Sequence, residues 1–174
     1  NGITLTINDT ITISDTQYAV VSGTFTNSIT SALVSQGVNN AVNLFFIEDY
    51  SGWSGILGNA AGIPGSMGTA NSWNGVLNSL TAHASGTTLD SQLLGETAAH
   101  EMGHQLGLFH TTENGGTVFD IITDTAECAI SLDNNNNGQV SAEECDGYGA
   151  NNVMFWTSWS TASRSAGKKQ WTLS

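Results

Sequence analysis

Residues 100–110 read His-Glu-Met-Gly-His-Gln-Leu-Gly-Leu-Phe-His, and this string constrains the chain more than any other feature. His100 and His104 stand one helical turn apart, so on a helix their imidazoles leave the same face and can grip one ion. Glu101 follows the first histidine and places a carboxylate within reach of a water held by that ion. Gly107 supplies the left-handed backbone that ends a helix at little cost. The chain can then double back and bring His110 to the same point. Three neutral imidazoles plus a water make the open four-coordinate arrangement of a catalytic zinc. Three of the chain's four histidines fall in this one stretch, which favours a metal over histidines that happen to decorate a buried helix.

The 174 residues are enough for one well-buried domain, with room for two lobes. Formal net charge is −12, from 15 acidic residues against 3 basic ones. With so few cations to replace counterions, a nucleic-acid partner is excluded as an expectation. The carboxylate excess suits a protein that stays soluble in the medium and can hold calcium. No apolar run approaches a membrane span. No basic segment followed by an apolar stretch opens the chain, so any secretion signal is expected to have been removed. Cys128 and Cys145 can form one disulfide, which implies an oxidising compartment and a secreted protein; two reduced thiols are the alternative.

Apolar and polar residues alternate over 3–7 and 11–13, which predicts strand, and Tyr18 to Val21 predicts another. Ser28 to Gly37 reads as a short helix with Ile29, Leu33 and Val34 on one face. Val42 to Ile47 is an apolar run expected to be a buried strand, and Gly75 to His83 is a further candidate. From Asp90 a longer helix is signalled, capped by Thr88 or Asp90, with Leu93, Leu94, Thr97, Ala98 and Met102 on its apolar or small face. It carries the histidine string at its C-terminal end. Beyond His110 the chain turns to Asn-, Gly- and Asp-rich loops, and Thr161 to Leu173 reads as a final helix.

The histidine string is the extended signature of the metzincin metallopeptidases, and the chain resembles that family, most of all its pappalysin-like bacterial members. Gly55-Ile56-Leu57-Gly58 to Ala61, ending in Pro64-Gly65, resembles the strand that borders the metzincin cleft. Thr111 follows the third histidine as in pappalysins, Asp124-Thr125 resembles their downstream turn, and Asn152-Val153-Met154-Phe155 resembles the Met-turn. The resemblance implies an α+β zincin fold: an upper lobe (1–107) with a mixed twisted sheet and the active-site helix, and an irregular lower lobe (108–174) with a C-terminal helix. It implies that Met154 floors the zinc site and that extended substrate pairs with Ile56, Leu57, Gly58, Asn59 and Ala60. Two departures stand out. Trp156 occupies the place where some metzincins carry a tyrosine, and the opening residues resemble the family's second strand rather than its first.

Asp133 to Glu144 fits the twelve-position calcium loop of EF-hands. Oxygen-bearing Asp133, Asn135, Asn137 and Ser141 fall at positions one, three, five and nine, Gln139 offers its carbonyl at seven, and Glu144 stands at twelve. Gly138 sits at the sharp turn and Val140 follows at eight. Only two of these ligands are charged, so modest affinity is expected. Cys128 and Cys145 bracket the loop. Asp120, Asp124 and Glu127 form a second acidic group, either another calcium site or a solvated turn.

The expected activity is a secreted, monomeric zinc endopeptidase that hydrolyses protein or peptide substrates, with Glu101 as the general base. Trp156 and Trp159 either wall a pocket beside the zinc or pack in the core, and His83 is expected to be structural or exposed. Two rivals stay open. One is an idle binding module stabilised by zinc and calcium; the other is a zinc hydrolase of a non-peptide amide or ester.

Overall fold

The computed structural model describes residues 4–160 together with 163 and 164. Its contacts divide the chain into two compact units, Asn1–Gln105 and Leu106–Ser174.

The first unit holds the regular structure: β1 (Val20–Ser22), α1 (Ser28–Val34), β2 (Leu44–Ile47), β3 (Asp49–Ser51), β4 (Gly58–Ala60), β5 (Val76–Ser79), β6 (Ala84–Ser85), β7 (Thr88–Leu89) and α2 (Ser91–Gln105). A three-stranded sheet runs in the order β2-β5-β4, with β2 parallel to β5 and β4 antiparallel to it. The sheet is therefore mixed, and β4 lies at its edge. All four residues of β5 are buried, as befits its central place. A separate parallel pair joins β1 to β3. Helix α1 begins where the Asn27 side chain accepts from the Ile29 and Thr30 N–H groups, satisfying two of the donors a helix start leaves open. Its Leu33 and Val34 pack into a core with Val21, Phe25, Ile47, Tyr50, Ala61 and Leu77.

Four expectations are corrected here. Residues 4–15 form no strand: Leu5, Ile7 and Ile11 are 58–84% exposed. Alternation prepares a segment for pairing but cannot replace the neighbour whose backbone completes the ladder, and no described strand pairs with it. Residues 16–18 form a 3-10 turn rather than the start of the next strand. Strand β2 is covered on one face only, for Leu44 and Phe46 are exposed while Ile47 is buried. On α1, Ile29 is exposed and Thr30 takes the buried place, its hydroxyl donating to the Ser22 carbonyl.

Helix α2 starts at Asp90, whose carboxylate accepts from the Leu93 N–H at 2.9 Å. It ends before Gly107, whose φ of +102° is the positive value expected there. The buried side of α2 is short and polar: Thr97, Ala98, His100, Glu101, Gly103, His104 and Gln105. Two glycines elsewhere make room for it. A Cβ on Gly58 would lie 2.7 Å from Glu101 Cγ, and one on Gly65 would lie 2.1 Å from the Gln105 amide. Gln105 in turn accepts at its main-chain carbonyl from the Gly65 N–H and donates its side-chain amide to the Trp73 carbonyl, which fixes the end of the helix.

The second unit is largely irregular. Its described core gathers Cys128, Val140, Ala142, Cys145, Ala150, Phe155 and Trp159, with Leu132 and Trp156 packed against it. The Cys128–Cys145 disulfide is present, with Cα atoms 5.6 Å apart. Thr112 bridges both Phe119 and Phe155. Of the expected C-terminal helix only Ser163 and Arg164 are described, both helical; the rest lies outside the described residues.

Candidate metal centre

The 3.6-residue repeat of α2 stacks His100 over His104, with ring centroids 4.6 Å apart and planes at 87°. Past the helix, one ring nitrogen from each of His100, His104 and His110 lies within 4.8 Å of the others. Donors that share one ion at about 2.0–2.1 Å each lie at most about 4.2 Å apart, so the three nitrogens are grouped closely enough to close on one ion by small ring movements. His100 and His104 are buried, so their rings are held by packing, whereas His110 is half-buried. His110 Nδ1 lies 3.1 Å from Glu113 Oε1, so Nε2 is the nitrogen that would bind a metal.

Glu101 is buried on the same helix, beside His100. Burial pushes its carboxyl up to about 8, while a hydrogen bond from the Ala60 N–H pulls the other way. A divalent cation at the histidines would also oppose the rise, by attracting the ionised form. Ala60 belongs to β4, and the register explains why its amide is available. The Leu57 carbonyl accepts from the Ser79 N–H and the Ala61 N–H donates to the Gly75 carbonyl, so Gly58 and Ala60 turn their peptide groups away from β5 toward the sheet edge.

Of the residues expected to border substrate, Gly58, Asn59 and Ala60 form β4, while Ile56 and Leu57 precede it as irregular chain. Asn59 spends its side-chain amide on the Gly23 carbonyl at 2.7 Å. Met154 is buried, and its carbonyl accepts from the Thr111 N–H at 3.0 Å, beside His110. Trp156 packs against the second core and donates its indole N–H to the Val140 carbonyl at 2.7 Å, and Trp159 is a buried core residue. His83 is buried and structural: Nδ1 meets the Ser79 carbonyl and Nε2 the Thr97 hydroxyl, tying the end of β5 to α2.

The loop 133–144 closes on itself through its own acids. The Asp133 carboxylate accepts from the Asn137 and Gly138 N–H groups. Glu144 accepts from Asn134, Asn135 and Ser141, and these bonds hold its carboxyl below the usual carboxylate range. Asn137 and Asn135 turn their side-chain oxygens back to the N–H groups two residues on. Asn136 and Gly138 have positive φ, which lets the loop turn this sharply. Asp120 accepts from the Thr125 hydroxyl at 3.4 Å, and Asp124 and Glu127 are exposed.

Sequence reasoning missed Glu113 and the Ala60 amide. Glu113 lies three residues after His110, a spacing that could have flagged it, but a loop gives no rule for where a side chain points. The Ala60 contact depends on strand register, which carries no local signal.

Residues 1–111 match the model of metallo-peptidase family M12B, reprolysin-like. Over 78 residues the chain is 41% identical to extracellular metalloprotease 1 of Coccidioides posadasii (strain C735). That stretch is 43% of this chain and 26% of the fungal protein, so the chain spans about a quarter of the relative's length. No solved structure matches the chain. Among the described residues no helix is long and apolar enough to cross a membrane.

Proposed function

The chain belongs to the reprolysin-like metallopeptidases of family M12B, and from that footing we propose that it is a zinc endopeptidase of the metzincin type. The observation that carries this reading is the convergence of three imidazoles beside a buried carboxylate on the same helix. His100, His104 and His110 would hold zinc, which when bound lowers the pKa of a water and polarises a carbonyl. Glu101, oriented by the Ala60 N–H, takes the proton of the attacking water and passes it to the departing amine. An extended peptide adds to the edge of β4, where the Gly58 main-chain groups and the Ala60 carbonyl are turned away from β5. Ile56, Leu57 and Asn59 flank that path. Trp156 has no oxygen, so it cannot help to steady an oxyanion.

Several finer statements belong to the same proposal. Met154 is the floor of the zinc site, supported by its burial and by its bond to Thr111. The pappalysin-like affinity rests on Thr111 and the Asp124-Thr125 pair. A single catalytic domain with subdomains 1–107 and 108–174 is supported by the change of contact unit after Gln105. Secretion is supported by the disulfide and by the extracellular relative. Calcium at Asp133, Asn135, Asn137, Gln139, Ser141 and Glu144 is supported by the oxygen donor set and the closure of the loop on its two acids. We take the enzyme to act as a monomer.

The test is hydrolysis of casein by the purified chain. Cleavage that disappears with a zinc chelator and in Glu101→Ala supports the proposal. A chain that binds zinc and cuts no protein or peptide is a binding module, and one that cleaves only small amides or esters is a different hydrolase.

A further inference from the structure

We infer that Glu113 is the positioning residue for the third zinc ligand, setting the tautomer and ring angle of His110. The inference rests on the zinc reading above and deepens it. The Glu113 carboxylate lies 3.1 Å from His110 Nδ1. A carboxylate can only accept, so that nitrogen carries the proton and Nε2 presents a lone pair to the metal. His100 and His104 need less help, since both sit buried on a rigid helix. His110 lies past Gly107 in irregular chain, and its side chain is 22% exposed, so a carboxylate on Nδ1 bears directly on its ring angle.

Glu113 can do this because its own backbone is fixed. Its N–H donates to the Val118 carbonyl, and its carbonyl accepts from the Gly116 N–H, closing a tight turn. The turn is pinned twice more, by Ile130 N–H to the Gly116 carbonyl and by Val140 N–H to the Asn114 carbonyl. Gly116 takes a φ of +58°, and a Cβ there would lie 2.6 Å from Ile130 N, so the turn has no slack. Val140 is the eighth position of the loop 133–144, and Ile130 lies two residues from Cys128. The disulfide and the acidic loop thereby brace the turn that carries Glu113. The bond adds little to folding, because Glu113 is 45% exposed and solvent screens such a pair. Its effect falls on the metal, through ring orientation and ligand basicity.

Zinc affinity of the full chain, measured by competition with a chromophoric chelator, tests this. Glu113→Ala should bind zinc about 10–100-fold more weakly than the parent. Glu113→Gln, whose amide oxygen still accepts from Nδ1–H, should lose less, and the exposed Glu48→Gln should lose nothing. In the zinc-loaded parent, nitrogen-15 NMR should show His110 protonated at Nδ1, with that proton exchanging faster in Glu113→Ala. Parent-like zinc affinity in a folded Glu113→Ala, or metal on Nδ1 of His110, overturns the inference. Should Glu113→Ala not fold, the Gln variant and the parent tautomer decide. A parent that binds no zinc would sink the metal reading itself, a different outcome from a parent that binds tightly and ignores Glu113.

Discussion

Gly58→Ala isolates the distance at which the edge strand lies against the Glu101 carboxylate, the proposed general base. Gly58 does not use positive φ, so alanine is free to adopt its backbone and only the new methyl matters. That methyl would lie 2.7 Å from Glu101 Cγ, 2.8 Å from Thr97 Cγ2 and 3.1 Å from Glu101 Oε1. Glu101 Cγ would need to move about 0.7 Å to regain ordinary contact. Overpacking of this kind costs about 1–3 kcal/mol of stability. The larger effect is chemical, since a misplacement of about 1 Å lowers rate by about 100-fold. The expected result is therefore a fall in kcat of about that size, with zinc content intact, because the three atoms nearest the methyl belong to Glu101 and Thr97 rather than to His100 or His104. Peptide hydrolysis kinetics and metal analysis of the same preparation measure both. Unchanged kcat in a folded variant would refute the reasoning, and so would loss of activity that merely tracks loss of zinc.

Three further outcomes follow from the same contacts. In the metal-free protein Glu101 has a folded pKa near 8 against 4.5 in the open chain. The contribution of Glu101 to stability is then most favourable below pH 4.5 and falls as pH rises toward 8, by roughly 1.4 kcal/mol per unit within that window. Glu101→Gln should flatten this slope in urea unfolding at several pH values; an identical slope in the variant would refute it. Gly95→Ala, on α2 where an added methyl meets nothing within 4 Å, should raise stability by about 1 kcal/mol in thermal unfolding. Calcium added to the metal-free chain should raise its melting temperature with a Kd on the order of 10⁻⁴–10⁻³ M. Glu144→Gln should abolish that rise, and an equal rise in the variant would remove calcium from the loop.

The histidine string was legible because it depends on one local rule, the helical repeat, and on a glycine that can end a helix. The Asp90 cap, α1 and β5 were legible for similar reasons. The opening strands were misread because residues 4–15 have the alternation of a strand but no described neighbour to pair with. The one-sided exposure of β2 was hidden because Val42 to Ile47 is apolar on both faces and says nothing about what covers each. Glu113 and the Ala60 amide escaped for a deeper reason. Each contact is set by where one backbone segment passes another, and residue type constrains that only weakly.

X-ray absorption at the zinc edge on the loaded protein addresses the central claim most directly. Three imidazole nitrogens at about 2.0–2.1 Å and one oxygen from solvent are expected, with one nitrogen lost in His110→Ala. Fewer than three imidazoles in the parent, or a fourth protein ligand in place of the solvent oxygen, would contradict the account.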